Sequence, residues 1–233
     1  MLMNYVESGV PVAPAAVFVG DFLRDRDAVD DFVLVEFGHG ESPIAFIQPR
    51  PFLGGRAAIG IETWFHDQHG TRRDMAMDAR DEDGLDQNVF FIDHDPGGNI
   101  TYEKLGKVCL YEGGYDTTTI LPDGAAEETV ASNVFGYEQL ADHPDRTTRL
   151  LVEMSRVTAA GGFVVIRETI TPLHNQSLDE TLFERAGLTL TARVTPEDAE
   201  AWQKLEEVYD AERAHNGFSP DGFYLFLQKA ETP

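Results

Sequence analysis

Phe-Val-Leu-Val-Glu-Phe-Gly-His-Gly-Glu-Ser-Pro, residues 32–43, decides how the rest of the chain is read. Its first six residues are apolar except for Glu36, the composition of a strand buried on both faces of a parallel sheet. Gly38 and Gly40 carry no Cβ, so the main chain can turn sharply and pass close to a ligand. Ser42 suits a helix N-cap and Pro43 the first helical turn. The stretch predicts a strand, a tight turn and a helix start, with an acid near the strand's end. A turn built for a dinucleotide wants a third glycine to seat a pyrophosphate on the helix N-terminus, and Pro43 stands in that place.

Working outward, residues 56–62 (Arg-Ala-Ala-Ile-Gly-Ile-Glu) read as a second buried strand closed by Glu62. That acid follows Glu36 by about one strand–helix–strand unit, the spacing at which a Rossmann-like fold places a carboxylate against ribose hydroxyls. Between them, Pro49 and Pro51 limit residues 44–53 to a short helix. Two apolar runs, 88–93 and 107–112, compete for the third core strand. The later is favoured, which makes 88–106 an inserted strand or hairpin. Residues 129–135 read as the next strand and 147–157 as a helix, with Leu150, Leu151, Met154 and Val157 at helical spacing. A turn over 159–162 then leads into a strand over 163–166. A capping box at Ser177 and a stop at Gly187 predict a helix over 177–187. Strands over 188–194 and 223–229 flank an acidic helix over 196–215. At the other end, residues 1–31 form a leading segment with a helix near 15–24.

Glu36-x-Gly38-x-Gly40 resembles the first motif of the class I S-adenosylmethionine-dependent methyltransferases. Ile-Gly-Ile-Glu at 59–62 and the helix–Gly-Gly–strand segment 156–168 extend that resemblance over about residues 30–230. It implies an α/β, Rossmann-like domain spanning 1–233, with 1–31 as an N-terminal helical cap segment and 32–233 as the core. The sheet should be mostly parallel and seven-stranded, with an antiparallel last strand and helices on both faces. By the same resemblance S-adenosyl-L-methionine is the cofactor. Glu36, Gly38, His39 and Gly40 hold its methionine end, Glu62 its ribose, and Tyr115 and Asp116 its adenine, while Asn133 and Val134 face the methyl group. If 88–93 is instead the third strand, Asp93 or Asp95 takes the adenine role.

Composition narrows the substrate. Of 233 residues, 18 are Lys or Arg and 41 Asp or Glu, a formal net charge of −23 that opposes the phosphate neutralisation nucleic-acid binders need. The single cysteine, Cys109, excludes an intramolecular disulfide and a multi-cysteine zinc site. The first nineteen residues lack a signal peptide's basic start and apolar core, and no run approaches the ~20 apolar residues of a membrane span. The expectation is a cytoplasmic enzyme of secondary metabolism, without nucleic-acid or membrane partners. It methylates oxygen or nitrogen of a small molecule, a natural-product intermediate, and its surface admits a homodimer. His94, His143 and His174 stand in loops where a general base would be useful, Asp95 could orient His94, and Tyr137 is a pocket residue placed for a catalytic part. No metal is expected, and the compact His66-Asp67-x-His69 cluster reads as a solvated turn. The alternative is a non-catalytic scaffold or regulatory subunit of the same fold. A transfer-RNA guanine methyltransferase ranks lower: 35–42 and 60–62 resemble that family's first two motifs, but a Pro-Asp-Pro-Trp-type segment and a basic surface are lacking.

Overall fold

The structure, a computed structural model, describes residues 14–29, 32–38, 57–62, 89–94, 100–102, 108–112, 121–136, 140, 143–168, 178–209 and 222–231. Nine strands are described, β1 (Val33–Phe37), β2 (Ala57–Glu62), β3 (Val89–His94), β4 (Ile100–Tyr102), β5 (Val108–Glu112), β6 (Ala126–Ser132), β7 (Thr158–Glu168), β8 (Leu188–Val194) and β9 (Phe223–Lys229). They form one sheet in the order β4-β3-β5-β2-β1-β6-β7-β9-β8. The expected seven strands are therefore corrected to nine. The additional pair is the β3–β4 hairpin, whose β3 lies parallel on the outer side of β5 while β4 returns antiparallel. β5, not β3, adjoins β2, so the later apolar run holds the third place in the core order. At the opposite margin β9 runs antiparallel between β7 and β8.

Four helices are described, α1 (Ala15–Asp27), α2 (Pro144–Val157), α3 (Glu180–Arg185) and α4 (Ala199–Tyr209). They cover both faces because the central strands are apolar on both sides. On one face Val19 and Phe22 of α1 join Trp202, Leu205 and Tyr209 of α4 over Leu34, Val130, Val165 and Phe226. On the other, Leu150, Leu151, Met154 and Val157 of α2 join Leu182 and Phe183 of α3 over Val35, Phe37, Ala131, Val164 and Ile166. α2 opens on Pro144, which loses no intrahelical donor there. α1 is fixed by rings and charge: Phe22 packs edge-on against Phe163 and Phe226, and buried Arg26 faces Glu128, 3.0 Å away. Its guanidinium also lies 5.2 Å from the Phe32 ring and 5.3 Å from the Tyr209 ring.

Two local readings change. Asp179, not Ser177, caps α3, its carboxylate accepting the Leu182 N–H at 2.9 Å. The glycines expected to form a turn over 159–162 lie inside β7, which starts directly after α2. Gly161 has a φ of 77°, and the register with β6 shifts between Ala126 and Glu128, as at a bulge. At Gly162 a Cβ would stand 2.6 Å from the Glu127 carbonyl oxygen and 2.9 Å from Thr158 Cγ2. Main chain cannot retreat cheaply, so Gly162→Ala is expected to cost about 1–3 kcal/mol as overpacking. Urea denaturation tests this, and an unchanged midpoint would contradict the close approach.

Candidate functional site

From β1 the chain moves outward through β2 to β5, then returns to lay β6 on the other side of β1. The strand order thus reverses between β1 and β6, and in open α/β sheets ligands bind in the crevice outside the carboxyl ends at such a point. β1 and β6 are in parallel register from Leu34↔Glu128 to Phe37↔Ala131, so their ends lie side by side. Both leave the sheet through a left-handed residue: Gly38 at φ 76° after β1, and Asn133 at φ 55° after β6. Glycine adopts this conformation freely, and asparagine more readily than other side chains. Asn133 is the one non-glycine residue with positive φ among the described residues, and strained main chain of this kind concentrates at functional sites.

Around the crevice the same edge carries several acids. Glu36 is buried within β1, two residues before Gly38. Glu62 and Glu112 close β2 and β5 in mutual register. Glu168 closes β7, one residue beyond the Ser132↔Arg167 pair. Its carboxyl is wholly buried beneath the turn that follows β6, and the Phe135 N–H donates to Oε1 at 2.8 Å. Burial pushes this carboxyl up to about 8, against the opposing pull of the Phe135 and Gly136 amides, the Arg167 charge and the Val134 amide. Glu168 is thus a neutral acid near neutral pH. Arg167 points to the other face, donating from Nε and Nη2 to the Glu206 carboxylate at 2.9 and 3.1 Å, with both side chains fully buried. Tyr224 closes the triad: its hydroxyl donates to Glu206 at 2.6 Å and accepts from Arg167 Nε at 3.1 Å. Nη1 of Arg167 reaches Ser132 Oγ at 3.4 Å, tying the end of β6 to that network.

Of the residues expected in the site, Glu36, Gly38, Asn133 and Val134 meet at the β1–β6 crevice, with Val134 buried. Glu62 lies one strand away at the end of β2. His94 closes β3, separated from β1 by β5 and β2. At about 4.8 Å per strand its Cα is roughly 14 Å from β1, so the sheet does not bring it to the crevice. Asp93 belongs to the same outer hairpin. His39, Gly40, Asp95, Tyr115, Asp116, Tyr137 and His174 lie outside the described residues, as do residues 1–13 and 169–177. The sequence reading gave no role to Glu168 or Arg167. Their signal was a charged pair ending an apolar run, Val-Val-Ile-Arg-Glu at 164–168. Among the described residues no group of three or more His, Cys, Asp or Glu side chains could hold a metal, and no helix is long and apolar enough to cross a membrane.

No protein-family model matches the chain, and no curated protein matches it. Solved structures share its fold. An S-adenosylmethionine-dependent methyltransferase from Methanosarcina mazei is 13% identical with a TM-score of 0.52, the match covering 90% of this chain and 98% of that one. A candidate sarcosine dimethylglycine methyltransferase from Galdieria sulphuraria is 12% identical with a TM-score of 0.53, covering 93% and 85%. The 16S rRNA (adenine(1408)-N(1))-methyltransferase from Catenulisporales acidiphilia is 15% identical with a TM-score of 0.53, covering 91% and 94%. The chain has the fold of the class I S-adenosylmethionine-dependent methyltransferases. At these identities the likeness speaks for the fold alone.

Proposed function

We propose that the chain is a cytoplasmic enzyme that transfers a methyl group from S-adenosylmethionine to an oxygen or nitrogen of a small molecule, a natural-product intermediate. The observation that carries this reading is the crevice at the strand-order reversal, entered from both sides by left-handed main chain at Gly38 and Asn133. The residues present fit the cofactor. Gly38 has no side chain to block a close approach to its methionine end, and Glu62 ends the next strand, where a carboxylate can accept ribose hydroxyls. S-adenosylmethionine supplies an electrophilic methyl group on a sulfonium. The chain's part is to hold the acceptor in line with it and keep water out, and such positioning can supply much of the rate.

Asn133 and Val134, following β6, form the wall nearest the methyl group in this reading. A base is needed only if the acceptor is protonated at working pH. His174 and Tyr137 are proposed for it. His94 stands apart from the crevice, because β5 and β2 lie between. The net charge of −23 favours a small-molecule acceptor over a polyanion.

Calorimetry with S-adenosylmethionine and S-adenosylhomocysteine tests the proposal. Saturable binding supports it; no heat with either would overturn it and leave a scaffold of the same fold. Retention on nucleic acid that falls steeply with salt would redirect the acceptor to RNA. Within the same assay Glu62→Ala is expected to lose about 1.5–3 kcal/mol of binding, the worth of a charge-assisted hydrogen bond. Native affinity would remove Glu62 from the ribose site.

A further inference from the structure

We infer that Glu168 is a positioning residue of the methyl-transfer site, its buried carboxyl clamping the Asn133–Gly136 turn that walls the crevice. The inference rests on the reading above and adds a residue to it. Four observations meet at this carboxyl. Oε1 accepts the Phe135 N–H at 2.8 Å, across 33 residues of chain. The turn it grips begins at Asn133, whose left-handed φ of 55° needs support from its surroundings. The opposite end of that support is main chain: the Asn133 N–H donates to the Arg167 carbonyl at 2.8 Å, so adjacent residues of β7 hold two points of the turn. Finally, Oε2 is buried with no hydrogen-bond partner among the described residues, an arrangement a neutral carboxylic acid bears far better than a carboxylate.

The surroundings make the clamp sensitive to pH. Among the described residues Arg167 is the charge bearing on Glu168, and its guanidinium is turned to the other face and tied to Glu206. The turn itself, Asn133, Val134, Phe135 and Gly136, carries no ionisable side chain, and the β9 residue in register with Glu168 is Phe223. Arg193 lies over the Phe223 ring, 4.9 Å from its centroid. The folded-state value of about 8 lies above the ordinary carboxylate range. The unfolded chain therefore releases this proton at lower pH than the folded one. Between the two values rising pH works against the folded turn, and above about 8 the clamp must hold a charge that its site does not solvate.

S-adenosylhomocysteine affinity, measured by calorimetry from about pH 6 to about pH 9.5, and the Phe135 amide resonance, followed by NMR over the same range, read the clamp separately. If binding requires the neutral acid, wild-type affinity should fall about tenfold between about pH 7 and pH 9, and the Phe135 amide should titrate with the same midpoint. Glu168→Gln keeps the Oε1 acceptor and cannot ionise, so its affinity should match the wild type near neutrality and stay flat, with no amide titration. Glu168→Ala loses the acceptor and should bind weakly throughout. Wild-type and Glu168→Gln curves that coincide would overturn the inference while leaving the methyltransferase reading intact. No wild-type binding at any pH would overturn both. Should neither variant fold, the two wild-type titrations decide alone: a shared midpoint supports the clamp, and a flat affinity profile refutes it.

Discussion

Glu206→Ala is expected to destabilise the protein by about 3–5 kcal/mol, because it takes from the buried Arg167 guanidinium the carboxylate to which it donates twice. For a chain of 233 residues that corresponds to a fall in Tm on the order of 10 °C. The loss comes from the charge left behind rather than from the attraction removed, since two desolvated charges recover little more than their burial costs. A double replacement, Arg167→Met with Glu206→Leu, should therefore be less destabilised than Glu206→Ala alone. Tyr224 moderates the contrast, because its hydroxyl bonds both partners and would lose both. Thermal unfolding of the two variants tests the argument. A double variant worse than the single would mean that the network is held by packing shape rather than by charge.

Gly38→Val should abolish S-adenosylmethionine binding while the far-ultraviolet circular dichroism of the folded protein persists. At φ 76° a β-branched residue is strained, and its methyl groups would occupy the approach to the crevice. If the free turn relaxes out of that conformation, restoring it on binding costs about 1–3 kcal/mol, roughly one to two orders of magnitude in affinity, and obstruction adds to it. The strand before it is buried from both sides and does not depend on that conformation. Unchanged affinity would remove the glycine turn from the site.

The core strands were legible because their signal is local. Residues 188–194 and 223–229 were read with the bounds observed for β8 and β9, and β1, β2 and β5 shift by a single residue at their starts. What failed depended on contacts across the sheet. Gly161 and Gly162 looked like a turn because glycine pairs usually are one. Here they let β7 pass within contact of the Glu127 carbonyl, a neighbour no window around 162 contains. The count of seven strands left out the insertion expected over 88–106, because nothing in an apolar run states which strand it will meet, and β3 joins the sheet parallel to β5. Capping at Asp179 rather than Ser177 is a shift of two residues between equally suitable side chains. Glu168 was visible as an acid ending a buried run, but its partner is a turn 33 residues earlier. The glycine turn at Gly38 was the legible part of the site, since left-handed main chain writes itself into the sequence as glycine.

The pairing of β1 with β6 also fixes when the crevice can exist during synthesis. Val33 N–H bonds the Glu127 carboxylate at 2.6 Å across 94 residues, and β6 is the strand that lies beside β1 on the side away from β2. Closing so long a loop costs entropy before any contact repays it. On the ribosome, the first glycine turn must therefore wait, its sheet edge open, until residue 136 has left the exit tunnel. A nascent chain interrupted before then has one wall and no binding site. A ligand of the crevice could not assist the early steps of folding, and any stabilisation by it would begin only once the two halves of the sheet have joined.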